Sequence, residues 1–475
     1  MTAVAAQEQQ RQRHGTASAQ SPTDSAEERD DGVSPPVSPR ITVIGTGYLG
    51  ATHAICMAVL GFEVLGVDVD ETKIRRLGEG EVPFFEPGLP PLLAKATDSG
   101  RLRFTTSFEE AAEFGDIHFI CVGTPQRQGS DAADLRYVDS AVSALAPHLR
   151  RPALVVGKST VPVGTATRLT ELVRSLAPAG DQVELAWNPE FLREGYAVDD
   201  TIRPDRLVFG VASARAEERL RAAFAPVIAS GTPVVVTDLT TAELVKVAAN
   251  SFLATKISYI NAMAEICEAT GGDVHSLASA LAYDDRIGGR FLKPGLGFGG
   301  GCLPKDIRAF VHRAEELGVG RAVTFLREVD AINKRRRSRT VDLIRELAGG
   351  DLTGVRVAAL GAAFKPHSDD IRDAPALDVA RALHRSGAHV TVVDPEATDN
   401  ARRAHPELRY ATDAISAATG ADVVALLTEW PQFQEIDPHL MGSVVTHRRM
   451  VDARDALDAT AWREAGWTCR ALGRP

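Results

Sequence analysis

Thirteen residues, Pro294 to Asp306 in the run PGLGFGGGCLPKD, set one cysteine between five glycines and a Pro-Lys-Asp sequence. The thiolate is the nucleophile, and a free cysteine is only about 3% thiolate near neutral pH; a helix N-terminus or a neighbouring cation raises that fraction. Pro304 suits the first turn of a helix, so PKDIRAFVHRAEELG puts Cys302 at or just before a helix N-terminus with Lys305 nearby. The glycines leave room for a substrate to reach the sulfur. A cysteine capping a buried turn has the same local sequence, and the residues alone leave both readings open.

Other reactive groups recur at suggestive spacing. Glu243, Lys246 and Asn250 stand three and four apart, on one helix face. A lysine and a carboxamide there can hold a substrate oxygen and stabilise negative charge developing on it; the same spacing also describes a solvated stripe. In WNPEFLREG (187–195), Glu190 and Glu194 follow a proline-containing turn after an apolar segment. KSTVPVGT (158–165) leaves Ser159 and Thr160 at a strand end, and AFKPHSDDIRDAP (363–375) offers Lys365 and Arg372. Each reads equally as an ordinary loop, but their common place at strand carboxyl ends points to one site.

GxGxxG occurs at Gly45-x-Gly47-x-x-Gly50 and again at Gly295-x-Gly297-x-x-Gly300. The first follows the apolar strand ITVI, precedes a helical stretch, and is followed by a strand ending in Asp68, 18 residues past Gly50. That context is a dinucleotide fingerprint: Gly45 for the tight turn, Gly47 for backbone approach to a pyrophosphate, Gly50 for close helix packing. Asp68 accepts from ribose hydroxyls and repels a 2′-phosphate, favouring NAD over NADP. The second match has no strand before it and no acid-terminated strand after it, so its glycines read as clearance around a substrate.

The elements that position these groups follow from hydrophobic patterning. From Arg40 onward, short apolar runs alternate with helical segments, which implies a parallel sheet covered on both faces. Residues 241–270 run about thirty residues without Pro or Gly, with apolar positions at three- and four-residue steps, and end at Gly271-Gly272: one long helix. Helical sequence continues from Lys305 to about Leu347, and a second strand-helix block begins at VRVAALGAAF (355–364). The expected fold is α/β, with two doubly wound Rossmann-like domains joined by a central helical one. The expected boundaries are a disordered tail over 1–39, a dinucleotide domain over 40–235, the helical domain over 236–340, and a second Rossmann-like domain over 341–475.

Composition narrows the function classes. The chain has 475 residues, a net charge of −10 and no uncharged apolar run long enough to span a bilayer. Neither nucleic acid nor an anionic membrane is indicated as a partner. The five cysteines, at 56, 121, 267, 302 and 469, form no CxxC; they imply no metal site and no disulfide framework, and fit a reducing, cytoplasmic compartment.

Taken in order, GTGYLG, GEVPFFEPGL, VGTP, STVPVGT, NPEFLREG, PDRLVFG, TAELVKVAANSFLATKISYIN, RIGGRFLKPGLGFGGGCLPKD and AFKPHSDDIRDAP resemble the UDP-glucose/GDP-mannose dehydrogenase family across about residues 40–470. The resemblance implies oxidation of a sugar C6 alcohol through the aldehyde to the carboxylate with two NAD in succession. It implies that Cys302 captures the aldehyde as a thiohemiacetal that becomes a thioester. It assigns Lys246 and Asn250 to the C6 oxygen, Asp306 to water or proton transfer, and Glu190 and Thr160 to a catalytic water. Cofactor positions matched are Gly45, Gly47, Tyr48, Leu49, Gly50, Asp68, Lys73, Thr124, Thr160, Glu194, Lys305 and Arg372. Substrate positions matched are Glu190, Phe191, Leu192, Arg193, Lys246, Asn250, Lys293, Phe298, Gly299, Cys302 and Lys365, with Arg286 reaching a neighbouring subunit's site.

The same resemblance implies a nucleotide-sugar substrate, UDP-glucose rather than GDP-mannose, and a homodimer or higher homo-oligomer with the long helix as its seam. Two positions depart from the family pattern: Ala262, where a glutamate is usual, and Gly301, where a larger residue is common. A single-step β-hydroxyacid-type dehydrogenase shares the fingerprint, lysine and asparagine but leaves Cys302 and the second α/β block unexplained. A non-catalytic NAD-binding protein leaves the whole Lys, Asn, Cys and Asp set incidental.

Overall fold

The computed structural model describes residues 38–474. The tail expected over 1–39 lies, as far as Val37, outside the described residues. The apolar β-branched runs become two sheets. The first contains β1 (Ile41–Ile44), β2 (Val64–Val67), β3 (Leu102–Thr105), β4 (Ile117–Ile120), β5 (Ala153–Gly157), β6 (Val183–Trp187), β7 (Leu207–Gly210) and β8 (Val234–Thr237), in the order β3-β2-β1-β4-β5-β6-β7-β8. The winding reverses between β1 and β4, which opens a crevice at their carboxyl ends, where such sheets bind ligands.

Six strands run parallel, but β7 pairs antiparallel with β6 at Trp187 and Gly210, and β8 follows β7. This corrects the all-parallel expectation. The reason lies in the connection: residues 188–196 stay at the carboxyl edge, where Glu86 accepts from the backbone of Gly195 and Ala197. The chain never crosses back over the sheet, so the next strand descends from the edge where the last one ended.

The second sheet contains β9 (Arg356–Leu360), β10 (His389–Val393), β11 (Arg409–Tyr410), β12 (Val423–Leu426), β13 (Arg449–Asp452) and β14 (Thr468–Ala471), in the order β11-β10-β9-β12-β13-β14 and wholly parallel. Its fully buried Val, Ala and Leu strand residues match a sheet covered on both faces. Apolar cores likewise line both faces of the first sheet.

Between the sheets the long helix spans Leu239–Thr270. Asp238 caps its start by accepting from Thr241 N, and Gly271, at φ 78°, ends it in the left-handed conformation. One face buries Glu243, Lys246, Asn250 and Asn261; another leaves Leu244, Phe252, Tyr259 and Ile266 exposed. The helical stretch expected over 305–347 is two helices, Leu303–Glu316 and Phe325–Ala348, parted at Gly318, which has φ 74°.

Candidate active site

The dinucleotide turn uses its three glycines for three reasons. Gly45 has φ +90° and leaves only 2.7 Å between an added Cβ and Val122. A Cβ on Gly50 would lie 1.8 Å from the Gly45 carbonyl, so the helix Tyr48–Val59 packs directly on the turn. A Cβ on Gly47 meets nothing within 4 Å, so this glycine clears space for a ligand instead. The first-turn amides of that helix, at Tyr48 and Leu49, have no acceptor within the helix and suit a pyrophosphate.

Asp68, at the end of β2, accepts from Thr46 N at 2.8 Å, Thr46 Oγ1 at 3.1 Å, Asp70 N at 3.1 Å and Lys73 Nζ at 2.8 Å. Burial pushes its carboxyl up, but these bonds outweigh burial and hold it below its usual value. The Lys73 pairing tempers the repulsion of a 2′-phosphate expected from Asp68 alone. These residues fit an adenine dinucleotide: a left-handed glycine turn, an open face at Gly47, and a buried carboxylate at the ribose position.

The reactive residues gather where the long helix meets the helix behind Cys302. Lys246 Nζ lies 2.9 Å from Glu190 Oε1. Burial opposes both charges, yet the pairing holds Glu190 below and Lys246 above their usual values. Asp306 accepts from Asn250 Nδ2 at 2.7 Å through one oxygen and from Lys305 Nζ at 2.5 Å through the other. Cys302 precedes the helix Leu303–Glu316, as its sequence predicts, and its carbonyl accepts from Asp306 N at 3.0 Å.

Lys305 favours the thiolate as its sequence position suggests, but burial outweighs it. Cys302 opens to the cleft but lies deep among protein atoms. Burial pushes its thiol up to about 11; Lys246, and less strongly Lys305, pull it down, while Asp306 and Glu190 push it up. Lys305 is spent on Asp306, so the nearer influence is Lys246.

Thr124 Oγ1 donates to the Thr160 carbonyl at 2.7 Å, and both line a narrow recess with Lys305, Asp306 and Phe310. A second, wider cleft runs between Tyr48, Phe84, Glu194, Ile371, Arg372 and Asn400. Here Glu194 accepts from Ser368 Oγ at 2.9 Å and faces Arg372 at 3.3 Å, while its carbonyl accepts from Lys365 Nζ at 2.6 Å. Burial, then the charge of Asp370, pushes the Glu194 carboxyl up to about 7.

The structure places the remaining candidates less uniformly. Glu190 also accepts from Leu192 N at 2.6 Å, and the Phe191 ring lies 3.8 Å under the Arg206 guanidinium. Arg193 is tied to Asp200 through its backbone and side chain. Phe298 and Gly299 are buried, with Phe298 bonded through its backbone to Asn333. Lys293 is exposed, and Arg286 pairs with its own neighbour Asp284 on the surface, apart from the cluster. At Gly301 an added Cβ would lie 2.3 Å from the Arg372 guanidinium carbon, so a larger residue there requires that arginine to move.

Three contributors are absent from the sequence-derived set. Lys158, whose segment drew attention only for its hydroxyls, is buried and donates to Asn188 Oδ1 at 2.8 Å, fixing the root of the Glu190 loop. Burial pushes its ammonium down to about 8. Arg308 reaches both Asp330 and Asp373, joining the helices to the second sheet's loop. Glu86, inside GEVPFFEPGL, is the third; its proline-flanked carboxylate was the available signal.

A nucleotide turn and a cysteine set among buried lysine, carboxamide and carboxylate groups form the working parts of a nicotinamide-dependent oxidoreductase. The chain matches the NAD binding domain of the UDP-glucose/GDP-mannose dehydrogenase family over residues 39–228, the central domain over 240–335 and the UDP binding domain over 358–459. It is 41% identical to the UDP-glucose 6-dehydrogenase of Rhizobium meliloti (strain 1021), across 92% of this chain and 100% of that protein. Identity to the UDP-glucose 6-dehydrogenase of Pseudomonas aeruginosa is 40%, across 92% and 98%. The solved UDP-glucose dehydrogenase of the archaeon Pyrobaculum islandicum superposes with a TM-score of 0.86 at 37% identity, across 94% of this chain and 100% of that one. The chain belongs to the UDP-glucose/GDP-mannose dehydrogenase family, and its cofactor is NAD.

Proposed function

We propose that this chain oxidises the C6 alcohol of UDP-glucose to the carboxylate of UDP-glucuronate. The observation that carries the reading is an open thiol, Cys302, within electrostatic reach of Lys246, Glu190, Asp306 and Lys305; relatives near 40% identity that act on UDP-glucose support the choice of sugar. NAD, when bound, supplies the hydride acceptor for both oxidations. Lys246 and Asn250 hold the C6 oxygen and stabilise its negative charge. The sulfur of Cys302 adds to the C6 aldehyde while the carbonyl oxygen takes a proton, giving a thiohemiacetal. Once that carbon is oxidised to a thioester, one water, ordered by Glu190 and Thr160 with help from Asp306, attacks the acyl carbon. The C–S bond breaks, the thiol is restored and the carboxylate leaves.

Glu194, Lys305 and Arg372 belong to the nicotinamide side in this reading, with Tyr48, Leu49, Thr124, Asp68 and Lys73 toward the rest of the cofactor. Phe191, Leu192, Arg193, Lys293, Phe298, Gly299 and Lys365 belong to the nucleotide sugar. Domain boundaries near 235 and 340 are part of the same reading. The exposed apolar line Leu244, Phe252, Tyr259 and Ile266 supports a homodimer along the long helix, with Arg286 entering the neighbouring subunit's site. No described helix is long and apolar enough to cross a membrane, and five free thiols suit the reducing cytoplasm.

The test counts NADH formed per sugar consumed with UDP-glucose, GDP-mannose and UDP-N-acetylmannosamine in turn. Two per UDP-glucose is the expected result. One per sugar points to a single-step dehydrogenase, two with another sugar corrects the substrate, and none with any sugar ends the enzymatic reading.

A further inference from the structure

The proposed chemistry assigns no step to the segment GEVPFFEPGL, yet it buries a carboxylate. Glu86 is only 2% exposed and forms no ion pair among the described residues. A buried carboxylate without a cation is costly unless hydrogen bonds fill its lone pairs. Here they do: Oε1 accepts from Ala197 N at 2.7 Å, and Oε2 accepts from Gly195 N at 2.7 Å and from the Tyr48 hydroxyl. Gly195 N also reaches the Tyr48 hydroxyl oxygen at 3.2 Å.

These donors come from two places with different tasks. Tyr48 is the first residue of the helix behind the dinucleotide turn, and its ring packs on Phe84 with centroids 4.9 Å apart. Gly195 closes the loop that begins at Glu190 and carries Phe191 to Glu194. It has φ +80°, and a Cβ there would lie 2.5 Å from the His367 carbonyl, so the loop end is wedged between Glu86 and the carboxyl-terminal half. Burial, reinforced by Glu86, pushes the Tyr48 hydroxyl far above its usual pKa and keeps it a donor.

We propose that Glu86 is a positioning residue that couples the occupancy of the NAD turn to the placement of the substrate loop 190–195, through the Tyr48 hydroxyl. The inference rests on the proposed function. A dinucleotide on the amides of Tyr48 and Leu49 fixes the phenol, the phenol fixes Glu86, and Glu86 fixes the loop's backbone at Gly195 and Ala197. Such coupling is reciprocal: the sugar improves cofactor affinity by the factor by which the cofactor improves sugar affinity.

The test is calorimetric titration of UDP-glucose into the intact protein with and without saturating NADH, which accepts no hydride and so permits no turnover. The parent is expected to bind UDP-glucose at least about fivefold more tightly with NADH. Glu86→Gln, which presents an amide N–H₂ to backbone donors, and Tyr48→Phe, which removes one oxygen, each reduce that factor to within twofold of unity. The double variant loses no more than either alone, because both break one link. Should Glu86→Gln fail to fold, Tyr48→Phe carries the comparison. A fivefold factor surviving in the variants, no factor in the parent, or additive losses overturns the coupling. A parent that binds no UDP-glucose at all overturns the proposed substrate as well.

Discussion

Lys246 Nζ stands 2.9 Å from Glu190 Oε1, with both side chains almost wholly withdrawn from solvent. The long helix and the β6–β7 loop are thus joined by the two charges to which the proposed chemistry gives roles. Replacing Lys246 by Ala leaves Glu190 buried without its cation, which is expected to cost about 3–5 kcal/mol of stability. If Lys246 holds the C6 oxygen as proposed, its loss is expected to lower kcat by roughly 10²–10³-fold. Urea unfolding and steady-state NADH production measure the two; an unmoved midpoint contradicts the buried-pair account.

Cys302 carries a thiol pushed up to about 11. Well below that value its thiolate fraction rises about tenfold per pH unit. Alkylation by iodoacetamide is expected to accelerate by that factor from pH 7 to 8 and again to 9, and to vanish in Cys302→Ser, since the other four cysteines are buried. A rate already level at pH 8 would show that the cations outweigh burial.

Glu243 accepts from Gly164 N at 2.7 Å and Ala166 N at 2.6 Å, yet burial pushes its carboxyl up to about 7. The unfolded chain releases this proton near about pH 4.3. Between these values the native state binds more protons than the unfolded one, so stability contributed by the protonated group falls as pH rises from about 5 to 7. The total is on the order of 3 kcal/mol. Comparing urea midpoints at pH 5 and 7, the parent should lose more than Glu243→Gln; equal slopes refute the assignment.

Asp68 and Lys73, assigned above to the cofactor ribose, form a pair 2.8 Å long. Asp68→Ala removes the repulsion and frees the cation, so the ratio of kcat/KM for NADP to that for NAD should rise about ten- to a hundredfold. Parallel assays with the two cofactors decide this. An unchanged ratio places the discrimination elsewhere.

Tyr259 is 50% exposed in the apolar line along the long helix, whereas Leu317, 52% exposed, lies outside it. In sedimentation velocity, Tyr259→Asp is expected to yield monomer with lost activity, and Leu317→Asp to behave as the parent. Matching profiles for the two variants remove the long helix as the seam.

Legibility followed the range of the interactions. The Gly45–Gly50 turn, Asp68 and the start of the cysteine helix are local, and strand, turn and helix patterns within a few tens of residues reveal them. The long helix is legible to within two residues of its start because its Pro- and Gly-free periodic run ends at Gly271, whose left-handed conformation caps it locally. β3 and β8 are not: Arg103 interrupts one, and the other leaves Val235 and Val236 on an exposed edge. Nor does spacing disclose that Lys305 turns to Asp306, or that Glu86 meets Gly195 across 109 positions. Those contacts depend on how β6 and β7 reverse and how the helices meet the sheets.

Gly299, Gly300 and Gly301 press against the carboxyl-terminal half so closely that an added Cβ would stand 2.3 Å from the Asp373 carbonyl, 2.8 Å from the Phe364 ring and 2.3 Å from the Arg372 guanidinium carbon. The loop before the sulfur therefore serves as a gasket, sealing one half of the molecule to the other by having nothing on it. At Gly299, where the neighbour is a backbone carbonyl that cannot swing aside, a single methyl group is a wedge large enough to hold the halves ajar.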